Sequence, residues 1–247
     1  METALPLFNT DPKIQLVPIP GHTPIVVIDN FVQEPEALVA YASGLQGKFS
    51  IAPKNAFPGL EMRMPDEFSA RLNDFFIQHV RKHLGARRSL SMYSRLSMVT
   101  LQPHELAPNQ SVCHQDQLPG YGQHCFSASV LYLFNNPAMG GTSFYVPKVA
   151  ESEIVRLYSS PAQWQDVMDE KHIKLFGSKP NYMTRSNDYF DLVCTIPAAW
   201  NRVIFYDGCI FHSGHITAPE LLSLDPAKGR LTINGFFTSR KSAGAGT

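Results

Sequence analysis

The spacing of apolar residues changes from a helical to a strand-like pattern between the N-terminal third of the chain and the remainder. Residues 24–31 form a short apolar run between a proline and an Asp-Asn pair, which is typical of a buried strand. A helix is predicted next, from Pro35 to Gly44. A second helix is predicted from Pro65 to Gly85. Its apolar face consists of Phe68, Leu72, Phe75, Phe76, Val80 and Leu84.

After residue 92, short segments rich in β-branched and aromatic residues alternate with Pro, Gly and Asn, as in successive strands. The predicted strands are 97–101, 127–134, 142–146, 193–196, 202–206, 209–216 and 231–237. Seven or eight strands in succession favour a jelly roll. Residues 150–192, which include Trp164, interrupt the pattern and are predicted to be a partly helical insertion.

The resulting prediction is a mainly β (α+β) chain in one domain over residues 1–247. Residues 1–92 supply a strand and flanking helices, and residues 93–240 form a double-stranded β-helix, the jelly-roll or cupin-like fold. Of the 247 residues, 44% are hydrophobic and 17% charged, which suits a compact core.

The charge balance bears on the partners of the protein. Basic and acidic residues both number 21, so the chain lacks the positive field that nucleic acid requires of a partner. No run approaches the roughly 18 apolar residues of a membrane span, and no signal segment is evident. We therefore expect no nucleic-acid or membrane partner and a cytoplasmic location, with the four cysteines reduced. The oligomeric state stays open, a homodimer included.

The tripeptide His114-Gln115-Asp116 carries the first chemical signal. On an extended backbone, residues two apart point to the same face, so the imidazole and the carboxylate can converge on one cation. A non-haem Fe(II) oxygenase site takes two histidines and one carboxylate and leaves the opposite positions open. The third ligand must then come from a distant strand.

Two histidines compete for the place of that third ligand. His212 follows the apolar pair Ile210-Phe211, which suits the end of an inward-facing strand, and is the favoured ligand. His215 is the alternative metal ligand. Because the two are three positions apart, a regular strand would turn only one of them toward the metal.

A segment near the C-terminus has the chemistry to hold a keto acid. Strand alternation places Arg230, Thr232 and Asn234 on one face and the intervening apolar residues on the other. A guanidinium with a hydroxyl two residues away can bind a carboxylate through charge-assisted hydrogen bonds.

Taken in order along the chain, these motifs resemble the Fe(II)/2-oxoglutarate-dependent oxygenase superfamily, especially its prolyl 4-hydroxylase-like branch. The resemblance covers most of the chain, from the strand-then-helix segment that begins at Ile25 to Arg230-Leu-Thr232, with Gly140-Gly-Thr-Ser-Phe144 between them. The segment Phe57-Pro-Gly, with a later Met-Pro, is similar to a group of bacterial members whose function is largely unassigned.

The resemblance implies that His114, Asp116 and the distal histidine hold Fe(II), and that Arg230 and Thr232 bind the distal carboxylate of 2-oxoglutarate, with O2 as the other co-substrate. Two spacings are longer than usual. His212 and Arg230 are 18 positions apart, where His215 would give 15, and the insertion lengthens the separation between Asp116 and the distal histidine.

The implied activity is a dioxygenase that hydroxylates a small molecule, an amino acid or a peptide-bound residue, in bacterial, including secondary, metabolism. The polar stretch after the metal motif is predicted to border the mouth of the barrel. Gln117, Tyr121 and His124 from it, together with Asn234, are the predicted substrate-binding residues. A metal-dependent hydrolase or isomerase on the same barrel, and a non-catalytic binding protein, are the alternatives.

Overall fold

The computed structural model describes residues 5–51, 57–116, 124–159 and 169–241. The strands are β1 (Ile14–Val17), β2 (Ile25–Ile28), β3 (Gly59–Arg63), β4 (Ala86–Val99), β5 (His124–Tyr132), β6 (Thr142–Pro147), β7 (Phe190–Ile196), β8 (Val203–Asp207), β9 (Phe211–Gly214) and β10 (Arg230–Lys241). The α-helices are α1 (Pro35–Gly44), α2 (Asp66–Phe75), α3 (Glu151–Ser159) and α4 (Glu170–Phe176). The predicted mainly β chain with N-terminal helices is confirmed.

The strands form two antiparallel sheets. The larger sheet has seven strands in the order β1-β2-β8-β5-β10-β4-β3, and the smaller has three in the order β7-β6-β9. An isolated antiparallel bridge between His114 and His212 extends the smaller sheet by a fourth segment next to β9. From β4 onward the chain therefore passes repeatedly from one sheet to the other.

Apolar side chains join the two sheets. Tyr132 and Ile204 of the larger sheet belong to the same buried cluster as Phe144 and Ile196 of the smaller one. The rings of Phe144 and Tyr206 meet edge to face with centroids 5.1 Å apart, a favourable geometry for an aromatic pair. This packing fixes the two sheets to each other, and residues of both sheets also line a cavity.

Helices α1 and α2 cover the outer face of the larger sheet, where a second apolar cluster lies. Asp66 and Glu67 lie in the first turn of α2, where negative charge is favourable. The predicted helix over 65–85 was too long as a single α-helix. It changes at Phe76–Val80 into a π-helical turn, and Gly85, with a φ of 67°, then turns the chain into β4.

Two strands were missed and one was predicted too short. β1 and β3 are edge strands of four and five residues with mixed polarity, so neither has a strong apolar signal. β4 is 14 residues long, although only its end, near residues 97–101, was predicted. The first half of β4 is largely polar, and its side chains are mostly exposed or half-buried, so it lacks the apolar signal of a buried strand.

The described parts of the stretch over residues 150–192 pack against the smaller sheet. Ile154 and Leu157 of α3 and Phe176 of α4 share a buried cluster with Tyr145 and Phe211 of that sheet. Trp164 lies outside the described residues. In the described ranges, no helix has the length and the hydropathy that crossing a membrane demands.

Replacing Phe205 by Ala should lower the free energy of unfolding by about 3–5 kcal/mol, because it would leave a cavity in the core. Phe205 is fully buried. Four rings surround it with centroids 6.1–6.3 Å away: Phe31, Phe75, Phe76 and Phe237. Urea unfolding measures the loss. Leu224→Ala, at an exposed position, is the control and should change stability by less than about 0.5 kcal/mol.

Candidate metal centre

The backbone holds the HxD motif against β9. His114 and His212 exchange both backbone hydrogen bonds, with N···O distances of 2.9 and 2.8 Å, and the Asp116 amide donates to the Gly208 carbonyl at 2.9 Å. Such a pair is the closed ring of an antiparallel ladder, in which the two Cα atoms are about 5.5 Å apart. The two histidines are therefore brought together by main-chain pairing.

The three predicted ligands converge. One ligand atom each from His114, Asp116 and His212 lies within 4.8 Å of the other two, and this is the group of potential metal ligands found among the described residues. The Nδ1–H of His212 donates to the Ile210 carbonyl at 2.9 Å, which leaves Nε2 facing Asp116 Oδ2 at 3.5 Å. A hydrogen bond of this kind fixes the tautomer and the ring orientation of a metal ligand.

The donor set fits a cation. Asp116 Oδ2 is buried and has no hydrogen-bond partner in the described part of the chain. A buried carboxylate without a partner is costly unless a positive charge compensates it. Two imidazoles and one carboxylate, with the remaining directions open to the cavity, match the donor set of a non-haem Fe(II) site.

Burial sets the protonation of these groups. Loss of solvent, and for His114 the neighbouring His212, lower the pKa of both histidines to about 4. Loss of solvent also raises the pKa of Asp116 to about 6, against the smaller opposing effect of His114. The histidines are thus neutral at physiological pH, the form that binds metal, while the carboxyl group is mostly ionised there and takes up a proton as the pH falls through about 6.

His215, the alternative ligand, lies elsewhere. Its Nδ1 is 2.8 Å from the Ser143 hydroxyl and its backbone amide donates to the Gly141 carbonyl. It is half-buried and does not line the cavity that holds the other three side chains. The geometry therefore groups His212, and not His215, with the HxD motif.

The three side chains line a cavity of about 360 Å³ between the sheets, and Arg230 lies in its wall. Arg230 is only 3% exposed. Its Nε donates to the Gly140 carbonyl at 3.2 Å and its Nη2 to the Gly141 carbonyl at 2.9 Å. No acidic side chain in the described ranges forms an ion pair with it, so an anion that enters the cavity would stabilise the buried guanidinium.

The two glycines explain how Arg230 is held. A Cβ at Gly140 would lie 1.8 Å from the His215 carbonyl oxygen, and one at Gly141 would lie 1.9 Å from the Ile196 carbonyl oxygen. Gly140 also has a φ of 85°, which side-chain-bearing residues rarely adopt. The Gly-Gly pair thus lets the backbone come close enough to present two carbonyls to the guanidinium.

Thr232 also lines the cavity, and its hydroxyl donates to the Ser97 carbonyl at 3.2 Å. Of the predicted substrate-binding residues, Asn234 lines the cavity, whereas His124 is exposed at the start of β5 and is not part of its described lining. Gln117 and Tyr121 lie outside the described residues.

Sequence reasoning missed several residues of the cavity wall. Glu61 lies on β3, which was not predicted, and Arg95 on the unpredicted part of β4. Tyr182 comes from the stretch after α4, and its hydroxyl donates to the Leu101 carbonyl at 2.6 Å. The available signal for Glu61 was the alternation of residues over Gly59–Arg63, which is typical of a strand and places Glu61 and Gly59 on one face of it.

The chain belongs to the Family of unknown function (DUF6445), whose model matches residues 10–237. This agrees with the resemblance to largely unassigned members that the sequence showed. None of the curated proteins compared with the chain matches it.

Solved structures similar to this chain include 2-oxoglutarate-dependent enzymes. A Pseudomonas putida prolyl-4-hydroxylase has 15% identity over 90% of this chain and 95% of that one, with a TM-score of 0.45. The non-heme alpha ketoglutarate dependent epimerase SnoN from nogalamycin biosynthesis has 10% identity over 90% and 86%, with a TM-score of 0.47. HygX from Streptomyces hygroscopicus, with nickel and 2-oxoglutarate bound, has 10% identity over 87% and 82%, with a TM-score of 0.47.

The resemblance predicted from the sequence is thereby confirmed as a likeness. Each of these TM-scores is below 0.5, so the likeness carries no conclusion about the function of this protein.

His212→Ala should weaken binding of a divalent metal more than the roughly 10- to 100-fold expected on removing a residue that only supports a ligand. Calorimetric titration of the metal-free protein with Fe(II) under anaerobic conditions measures the affinity. His215→Ala is the matched control and should leave the affinity unchanged. The reverse ranking of the two variants would assign the third ligand to His215.

The metal affinity should also fall as the pH is lowered through about 6, because the raised pKa of Asp116 makes a proton compete with the metal there, whereas the histidines stay neutral to about 4. The same titration repeated between about pH 5 and 8 measures this. Asp116→Asn, which cannot ionise, should bind weakly and lose the dependence near pH 6. A fall centred near pH 4 in the unaltered protein would contradict the role given to Asp116.

Proposed function

We propose that this protein is an Fe(II)- and 2-oxoglutarate-dependent dioxygenase that hydroxylates a small molecule, an amino acid or a peptide-bound residue. The proposal rests on one observation: a single cavity contains both a group of potential metal ligands and a buried arginine without an ion-pair partner among the described residues. The His/Asp/His group calls for a cation, and the buried Arg230 calls for an anion. A dicarboxylate that chelates the metal with its keto-acid end and meets the guanidinium with its other end satisfies both.

The strand order supports the fold that this function needs. The central strands of the larger sheet, β8-β5-β10-β4, face the strands β7-β6-β9 and the His114 segment. We infer that these two layers form a double-stranded β-helix, because the chain from β4 to β10 alternates between them in the order of a jelly roll. The metal ligands then lie on the smaller layer and the arginine on the larger.

In this function, His114, Asp116 and His212 would hold the iron, and Arg230 with Thr232 would bind the distal carboxylate of 2-oxoglutarate. The bound iron supplies the coupling of O2 reduction to decarboxylation of 2-oxoglutarate, so that one oxygen atom goes to succinate and one to the substrate, with release of CO2. Val99, Tyr182 and Ile216 pack together beside Arg230, where they exclude water from this end of the cavity.

Anaerobic addition of Fe(II) and then 2-oxoglutarate should produce the weak visible charge-transfer band of a keto acid chelated to iron. Arg230→Ala should weaken the 2-oxoglutarate affinity by on the order of 10- to 100-fold, because a charge-assisted bidentate contact is lost. The affinity is read from the band during titration. Arg240→Ala, at an exposed position on the same strand, is the matched control and should titrate as the unaltered protein does.

The same titration separates the alternatives. A metal-dependent hydrolase or isomerase would bind the metal without the band and would be indifferent to Arg230→Ala. A non-catalytic binding protein could show the band, but it would form no succinate from 2-oxoglutarate on admission of O2. Either outcome would replace the dioxygenase proposal.

A further inference from the structure

A second set of polar side chains lines the cavity on the larger sheet, farther along β10 from Arg230. Asn234 pairs with Arg95 across β10 and β4, and Phe236 pairs with Tyr93 in the next cavity-facing position. Glu61 of β3 lies opposite Ser97, one cavity-facing position back toward Arg230. Residues directly opposite each other in an antiparallel pair share a face, so all five side chains form one surface. We call Glu61, Tyr93, Arg95, Asn234 and Phe236 the outer wall.

Arg95 is held in place but keeps most of its donors. Its Nη1 donates to Glu61 Oε2 at 2.8 Å, and its guanidinium carbon lies 5.2 Å from the ring centroid of Tyr93 and 5.8 Å from that of Phe236. Those two rings are stacked, with centroids 5.0 Å apart. No described atom accepts from Nε or Nη2 of Arg95. This free edge matches the geometry of a carboxylate.

Asn234 supplies an acceptor that lacks a donor. Its Oδ1 is buried and has no hydrogen-bond partner among the residues that the structure describes. A buried carbonyl of this kind is costly unless a ligand or water donates to it. Asn234 lies directly opposite Arg95, and the Cβ atoms of such a pair are about 4.5–5.5 Å apart. The N–H groups of Arg95, which can bind an anion, are therefore close to Asn234 Oδ1, which can accept a hydrogen bond from a cation.

The balance of charge restricts what this wall can bind. With the proposed occupants, a divalent cation and a dianionic keto acid, the metal, Asp116, 2-oxoglutarate and Arg230 sum to neutrality. Arg95 and the 7%-exposed Glu61 neutralise each other as well. A substrate with a net charge would leave that charge uncompensated in a partly desolvated cavity. A zwitterion, which presents an anion to Arg95 and a cation to Asn234, keeps the balance.

Resting on the dioxygenase function proposed above, we propose that the substrate is a free α-amino acid whose carboxylate is bound by Arg95 and whose ammonium group donates to Asn234 Oδ1. The side chain of the amino acid then extends over the Tyr93 and Phe236 rings or toward the metal ligands. The cavity volume, about 360 Å³, lies in the range of roughly 300–1,000 Å³ of small-molecule sites.

Calorimetry of the anaerobic Fe(II)·2-oxoglutarate complex with the twenty common L-amino acids tests the proposal. For each amino acid that binds, three matched probes follow: the amine without the carboxylate, the acid without the amine, and the N-acetyl amide that represents a peptide-bound residue. Each probe should bind at least about 10-fold more weakly than the amino acid, because it loses one charge-assisted hydrogen bond or both.

Arg95→Gln should weaken amino-acid binding by on the order of 10- to 100-fold and should leave binding of the matched amine unchanged, since the amine has no carboxylate to lose. Arg88→Gln, at an exposed position on the same strand, is the charge-matched control. Because Arg95→Gln removes a cation that Glu61 contacts, the double variant Arg95→Gln/Glu61→Gln repeats the test in a chain that lacks both charges of this pair.

The outcomes distinguish this proposal from the function on which it rests. If no amino acid binds, or if the amine or the N-acetyl amide binds as tightly as the amino acid, the zwitterion proposal is wrong while the iron and 2-oxoglutarate band stands. If the band is absent but amino acids bind to the metal-loaded protein and Arg95→Gln weakens them, the outer wall is a true amino-acid site and the dioxygenase function is wrong.

Discussion

The Arg230 guanidinium lies almost fully buried between the two sheets, with backbone carbonyls as its acceptors and no acidic residue paired with it in the described chain. A buried charge without an ion-pair partner is costly, and an anion that enters the cavity would compensate it. Within the part of the chain that the structure describes, the same cavity contains a second charge without a partner, which is negative: the Asp116 carboxylate of the His/Asp/His group. Neither half of the site is electrostatically complete without a ligand.

Each of the two sheets carries a different part of the site. Main-chain pairing of the His114 segment with β9 fixes two imidazoles on the smaller sheet, while alternation along β10 carries Arg230, Thr232 and Asn234 on the larger one. The Gly140-Gly141 pair lies where the sheets meet, because its carbonyls bind the arginine while its flanking strand, β6, pairs with the strand of His212. A shift of one sheet relative to the other would therefore alter the distance between the metal ligands and the arginine.

Most of the site could be predicted where the signal is local. The HxD spacing and the alternation of Arg230, Thr232 and Asn234 follow from the two-residue period of a strand, and both sets line the cavity. The sequence favoured His212 but left His215 as an alternative. The choice between them depends on the pairing of His212 with His114, about a hundred positions away, which no local pattern reveals. Glu61 and Arg95 were missed because their strands carry mixed polar and apolar residues. The π-helical turn after Phe75 has no periodic signature at all.

The position of β3 has an evolutionary consequence. β3 is the outermost strand of the larger sheet; it pairs along its length with β4 and on its other side has a single bridge, between Glu61 and Ser50, yet it carries Glu61 into the cavity wall. An edge strand tolerates substitution better than a central one, because fewer backbone partners constrain it. If the proposed function holds, changes in this strand would alter what the cavity binds while His212 on β9 and Arg230 on β10 stay intact. Divergence within the family is therefore expected to be concentrated on this edge.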